Sequence, residues 1–320
     1  MLLTRVILCL GLLISNATFA KEILRVGYMP IMDHLIFPVS HALDNKQYQQ
    51  LEIKPRLFKK WSELTGALKA NKIDAAFILA PLAMDLFHNG ENIKTILLAH
   101  RDGSSITITK SGDIKDVTDL KEKRIGIPGN KSTHVALLNS YLKRGHLSLK
   151  DVTLKSIAPP NMQQAMELGF IDAFIVAEPF GSKAIKQNKG NMLILSKNIL
   201  PEHIDCVVVM KDDFLNQHPE AVKEWLNSLI HASQWIENDR TTTKATSIAN
   251  LVSDNIYFPH SKDLIINALS EPLEKISFTN LKPELIDFEI TLNISKEAGI
   301  LKDMDLTHFI DTRFYPAPLQ

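Results

Sequence analysis

Residues able to recognise or transform a small molecule recur just after short apolar, β-rich runs. Asp33 and His34 follow Ile23 to Tyr28, Trp61 follows Ile53 to Phe58, Ala80 and Pro81 follow Ala75 to Leu79, and Arg101 follows Lys94 to Ala99. Ser132, Thr133 and His134 come after Arg124 to Ile127, Pro160 after Thr153 to Ile157, and Glu178 after Ala173 to Val176. Ser132 or Thr133 can cap the helical pattern Val135 to Leu142, and a helix start offers free N–H groups and partial positive charge to an oxyanion such as nitrate, carboxylate or sulfonate. Simple capping accounts for the same residues, and the two roles are compatible. Asn130, not glycine, precedes Lys131, so a phosphate-cradling loop of the Walker type is not supported.

Trp61 supplies an indole donor and a flat apolar wall, or else packs in the core. His34 caps a helix, sits exposed, or faces a ligand. Glu178 can accept from an amine or hydroxyl, pair with a cation such as Arg101, or form a hinge ion pair. A carboxylate in a cleft disfavours a bare anion unless a partner neutralises it, which keeps a zwitterionic solute open. Arg101-Asp102-Gly103 reads more readily as a turn than as a ligand contact. His203 and Cys206 superficially suggest a metal pair on which His34, His134 and Glu178 could converge, but two ligands of unknown geometry do not establish a centre, and no metal or other cofactor is expected. An enzyme built on Cys206 or a histidine would need an activated nucleophile, and no nucleophile elbow is present.

The elements that must hold these residues alternate β-rich runs with amphipathic helical patterns, as in a parallel α/β sheet. The order restarts at Arg124, giving two α/β units. Residues Ala67 to Pro81 echo Ala165 to Pro179: helix, turn, an Ile-Asp-Ala strand entry, a buried strand and a stopping proline. Ligands of open parallel sheets bind beyond the carboxyl ends of the strands, so two facing sheets make a cleft lined by the loops named above. The chain is expected to cross between units near Ser104 to Thr109 and to return near His203 to Met210, after which it is mainly helical. Trp225 and Trp235 fall in a helical tail covering the first lobe and read as packing residues.

The first twenty residues read as a secretory leader, with Arg5 in the basic region, an apolar run from Val6 to Ile14 and small residues at Thr18 and Ala20. The mature chain is then expected to start at Lys21, to be soluble, and to keep one cysteine, Cys206, which allows no internal disulfide. Acidic and basic residues balance at 36 each, without a long block of one sign, so neither nucleic acid nor a membrane surface is an expected partner.

Taken in order, Gly27 to His34, Trp61 with its helix, Ile73 to Ala83, Lys131 to His134 and Ile171 to Gly181 resemble the nitrate/sulfonate/taurine-type substrate-binding proteins of ABC transporters. The resemblance spans roughly Leu24 to Trp235. It implies an α/β, type II periplasmic-binding-protein fold: two α/β lobes, an interlobe cleft and two hinge crossings, with 21–106 and 206–320 as a discontinuous first lobe and 107–205 as the second. It further implies a periplasmic, monomeric binding protein that hands a small solute to ABC permease and ATPase subunits. A periplasmic sensor subunit and a thiamine-precursor (pyrimidine) binder share the fold. The related pyrimidine synthases do too, but the cysteine cluster associated with them is absent, which counts against an enzyme.

Overall fold

The computed structural model describes residues 21–316; the expected leader, residues 1–20, lies outside them. In chain order the elements are β1 (Glu22–Tyr28), α1 (Ile36–Asp44), β2 (Leu51–Leu57), α2 (Trp61–Lys69), β3 (Ala75–Leu79), α3 (Ala80–His88), β4 (Ile93–Leu98), β5 (Arg101–Asp102) and β6 (Ser104–Thr109). There follow β7 (Arg124–Ile127), α4 (Thr133–Arg144), β8 (Thr153–Ser156), α5 (Met162–Glu167), β9 (Ala173–Ala177), α6 (Phe180–Lys186) and β10 (Gly190–Leu195). The chain closes with β11 (Cys206–Lys211), α7 (Asp212–Gln217), α8 (Pro219–Thr242), α9 (Thr246–Val252), α10 (Lys262–Ser270), β12 (Ile276–Ser277) and α11 (Leu285–Glu297).

Two five-stranded sheets form the lobes, ordered β2-β1-β3-β11-β4 and β10-β6-β9-β7-β8. Each is parallel except for one strand arriving from a crossing: β11 runs antiparallel to β3 and β4, and β6 runs antiparallel to β9 and β10. The Ser104–Thr109 run is thus already the inserted strand of the second sheet, and the crossings are the segments on either side, 99–103 and 196–205. The small β5–β12 ladder pins the first crossing to the C-terminal region.

The internal echo proves to be a shared construction. Asp74 and Asp172 each enter a central strand and each accept from the backbone N–H and guanidinium of an arginine on the neighbouring parallel strand, Arg25 and Arg124. The strand registers also correspond, Val26 beside Ala75 in one lobe and Ile125 beside Ala173 in the other. Pro81 follows the first residue of α3 and Pro179 immediately precedes α6, positions where a missing N–H costs no helix bond.

Alternation along β9 sorts its side chains to two faces, Phe174 and Val176 into the large core and Ala173 and Ile175 into the smaller core against α4. Helix α8 buries Val222, Trp225, Leu226, Leu229 and Ile236, and Trp225 meets Phe37 and Phe77 edge-on. Trp235 is only partly buried against the same core. The helical tail therefore backs the first lobe, leaving its strand ends to face the second.

Candidate functional site

Because β11 is antiparallel, its first residue lies at the same edge of the first sheet as the ends of β1, β3 and β4. Asp33 and His34 sit in the turn after β1, His100 follows β4, and Asp205 and Cys206 open β11; all five are buried. The turn after β1 is fixed locally, since the Met29 N–H donates to His34 Nδ1 at 2.8 Å, which leaves His34 Nε2 to carry the ring proton. Trp61, the first residue of α2, stands edge-on to His34 with ring centroids 5.8 Å apart. Ala80 and Pro81 start α3, and the Ala80 N–H donates to the Asp205 carbonyl at 2.8 Å.

From the second lobe come Ser104, the start of α4 and Glu178. His134 Nε2 lies 3.0 Å from Ser104 Oγ and 3.3 Å from Asp205 Oδ2, and Ser104 Oγ donates to the same carboxylate oxygen at 3.0 Å. Thr133 Oγ1 donates to the Asp205 carbonyl at 3.4 Å. The polar start of α4 is thus turned toward the protein's own Asp205. Ser132 occupies the cap position, but its hydroxyl makes no capping bond and is buried without a partner, so the capping role expected of Ser132 or Thr133 is not made by either side chain.

Glu178 is paired, though not with Arg101. Lys275 Nζ lies 3.3 Å from Glu178 Oε1 and donates to Ser182 Oγ at 2.7 Å, while the Ser182 N–H donates to Glu178 Oε2 at 3.1 Å. The Met32 N–H also donates to the Glu178 carbonyl at 2.9 Å, a direct backbone link between the lobes. Arg101 instead makes a two-pronged pair with Asp287 of α11 at 2.9 and 3.1 Å and donates to the carbonyls of Glu202 and Asn280. Its guanidinium braces both crossings against the C-terminal helix and stands apart from this group. Pro160 is exposed in the turn after β8, an edge strand, and also stands apart. The pairing of His203 with Cys206 fails as well, because His203 Nδ1 donates to the Leu200 carbonyl at 2.7 Å and lies 3.0 Å from Asp102.

Electrostatics follow from burial. Burial raises the Asp33 carboxyl from its ordinary value, partly offset by His100; His100 is raised by Asp33 and Asp205 against the burial penalty, so the pair as a whole holds its proton to higher pH. For Asp205 burial also works against the charge, but His134, His100 and His203 outweigh it and hold the carboxyl below its usual range. Burial, reinforced by the two carboxylates, pushes the Cys206 thiol well up, so that without a positive partner it is a poor nucleophile.

Sequence reasoning missed His100, Ser104, Asp205 and Lys275. His100 directly follows a strand read correctly, and that position was the signal that could have found it. Lys275 comes from the helical tail, where no local pattern marks it. A surface cavity of about 350 Å³ lined by Asp85, His88, Lys131 and Met304 holds none of the grouped side chains.

Among the described residues, the buried side-chain atoms lacking a hydrogen-bond partner include His34 Nε2, Trp61 Nε1, Ser132 Oγ, Asp33 Oδ1 and Asp205 Oδ1. Buried polar atoms of both lobes are therefore left unsatisfied, an arrangement that costs free energy in a finished core.

A family model described as the NMT1-like family matches residues 18–253. The nitrate/nitrite binding protein NrtA of Nostoc sp. is 25% identical over 258 residues, covering 73% of this chain and 58% of its own. The nitrate import ATP-binding protein NrtC of Synechocystis sp. is 27% identical over 237 residues, covering 68% of this chain and 35% of its own. The chain thus spans between about a third and three fifths of the length of these relatives. Among solved structures, the ligand-binding component of an ABC-type import system from Staphylococcus aureus, with zinc bound, superposes with a TM-score of 0.82 at 22% identity, covering 92% of this chain and 98% of that one. At that identity the likeness is one of fold, and it is the two-lobed fold expected from the sequence.

Proposed function

The chain belongs to the NMT1-like family, and from that premise we propose that it is the extracytoplasmic solute-binding component of an ABC importer, closing its two lobes on a small anionic or zwitterionic solute. The observation that carries this is the set of buried donors without partners, His34 Nε2, Trp61 Nε1 and Ser132 Oγ, together with unpartnered acceptors on Asp33 and Asp205. They belong to segments that follow strands or begin helices, where an open α/β sheet accepts ligands. The NitT/TauT-type resemblance and the relatives' names support nitrate-, sulfonate- and taurine-like solutes, an ATP-binding importer subunit as the eventual partner, and a place for this chain outside the cytoplasm.

Glu178 is neutralised by Lys275, so its carboxylate no longer disfavours a bare anion, and anionic and zwitterionic solutes stay together in the proposal. Catalysis is not part of the proposal, because relatives are named as nitrate/nitrite-, aliphatic sulfonate- and taurine-binding proteins.

The test is a thermal-shift panel on the mature protein with nitrate, bicarbonate, taurine, alkanesulfonates and thiamine precursors, followed by native mass spectrometry. A ligand that binds only the folded state adds about 2.7 kcal/mol of stability at a hundredfold excess over Kd. A saturable shift with one member of the anionic or zwitterionic set supports the proposal; no shift with any of them removes the solute class.

A further inference from the structure

We propose that Asp33, His100 and Cys206 form a three-ligand site for a divalent cation of the zinc class, set on the cleft face of the first lobe and covered by the second. The three side chains each offer a ligand atom, all within 4.8 Å of one another and all buried. Asp33 Oδ2 lies 3.3 Å from His100 Nε2 and 3.8 Å from Cys206 Sγ. Around a tetrahedral zinc, with N and O ligands near 2.0 Å and sulfur near 2.3 Å, adjacent ligand atoms are separated by about 3.3–3.5 Å. The Asp33–His100 spacing already matches, and small side-chain adjustments bring Cys206 Sγ into reach.

Three features single this cluster out from a chance meeting of polar residues. The donor set mixes carboxylate, imidazole and thiolate, which suits zinc and its neighbours and is a poor match for magnesium or calcium. The two anionic ligands, once the thiol gives its proton to solvent, balance a double positive charge within a buried site. Independently, the remaining polar atoms of the two side chains, Asp33 Oδ1 and His100 Nδ1, are buried without hydrogen-bond partners, so neither side chain is fully committed elsewhere. Gly103, at φ +98°, packs its backbone closely against both, and a Cβ there would stand 3.2 Å from each.

The fold explains how a cation reaches so enclosed a place. All three ligands belong to the first lobe's strand ends, while Ser104, His134 and Glu178 approach from the second, so separation of the lobes uncovers the site. Cys206 N–H donates to His100 Nε2 at 3.2 Å and is the competitor that the cation displaces. Three protein ligands leave a fourth position for water or a ligand donor, the pattern of sites that exchange what they bind. The inference stands on this geometry alone and does not depend on the solute class proposed above.

The experiment uses the mature protein stripped by a chelator and titrated with zinc, and separately with cobalt, in the absence of any organic solute or oxyanion buffer. One equivalent of zinc should bind by calorimetry and remain after desalting by elemental analysis, and cobalt should show a near-ultraviolet thiolate charge-transfer band. Cys206→Ser should abolish that band, and Cys206→Ser, His100→Ala and Asp33→Asn should each weaken zinc binding at least tenfold. Cys206→Ser replaces one buried atom, and its circular dichroism and thermal melt report whether it is folded. Failure of the wild type to bind one equivalent, cobalt binding without a thiolate band, equal binding of magnesium, or unchanged zinc affinity in a folded Cys206→Ser protein would each overturn the site. Because no solute is present, none of these outcomes bears on solute capture.

Discussion

His134 Nε2 lies 3.3 Å from Asp205 Oδ2 with both side chains buried, so the first turn of α4 in the second lobe is fastened to the residue that leads into the returning strand of the first. The contact joins the two lobes at the hinge and at the cleft simultaneously. A side chain expected to touch solute is thereby also part of the device that closes over it.

His134→Ala should accordingly do more than weaken binding. It leaves Asp205 buried with only Ser104, His100 and His203 to favour its charge, and removes the strongest of the histidine contributions to its depressed carboxyl pKa. Losing one partner of a buried pair costs on the order of 3 kcal/mol. Urea unfolding should show that loss together with a fall in affinity; a melt equal to wild type would show that Asp205 does not depend on this histidine.

Lys275 and Glu178 form the second clasp. Lys275→Met strands a buried carboxylate, and the lobes should part to hydrate it, raising the radius of gyration by small-angle scattering and lowering solute affinity. Glu178→Gln added to Lys275→Met should restore a compact form. An unchanged radius in the single variant would mean that the pair is not what holds the lobes together.

Arg101 is predicted to matter for stability and not for binding. Arg101→Ala and Asp287→Asn should each destabilise by roughly 3–5 kcal/mol, and the double variant by little more, since both remove one buried two-pronged pair. Retained solute affinity in folded samples checks the second half of the prediction; a selective loss of affinity would return Arg101 to the cleft.

Trp61→Phe keeps the ring edge against His34 and removes only the unpartnered indole N–H. If that donor meets solute, affinity falls by about tenfold, the worth of one neutral hydrogen bond of about 1–1.5 kcal/mol, with the melting temperature close to wild type. Equal affinity in calorimetry would assign Trp61 to packing.

His260 contributes, with the buried His34 and the half-buried His41, to a loss of stability toward acid pH. Burial, with a smaller contribution from Lys183, lowers its pKa below the ordinary 6.5, against a raising hydrogen bond to the Pro30 carbonyl, and its ring meets Phe180 of the second lobe. The unfolded chain takes up the proton first as pH falls, so the stability contributed by the neutral ring is present above pH 6.5 and is lost progressively below it. His260→Gln should flatten that part of the melting-temperature profile; a profile as steep as wild type would place the titration elsewhere.

The fold was legible because buried parallel strands are short continuous apolar runs, and the expected bounds of β3 and β7 coincide with those observed. The echo Ala67 to Pro81 and Ala165 to Pro179 was legible for a physical reason now visible, the shared arginine–aspartate lock at each strand entry. At the site, what could be read was position after a strand, which brought Asp33, His34 and His134 into consideration. Which way a charge points could not be read: Arg101 and His100 are adjacent, and only packing against α11 turns one away while burial holds the other in. Lys275 enters from far along the chain through a two-residue ladder too short to leave a periodic signal.

The central claim is that the lobes close on a small anionic or zwitterionic solute between His34, Trp61 and the start of α4. Isothermal titration of the mature protein with taurine, nitrate, bicarbonate and alkanesulfonates tests it most directly, alongside a folded Trp61→Ala variant. The account predicts saturable one-to-one binding of at least one of these and its weakening in the variant. Absence of binding across the set, or equal affinity in the variant, would contradict it.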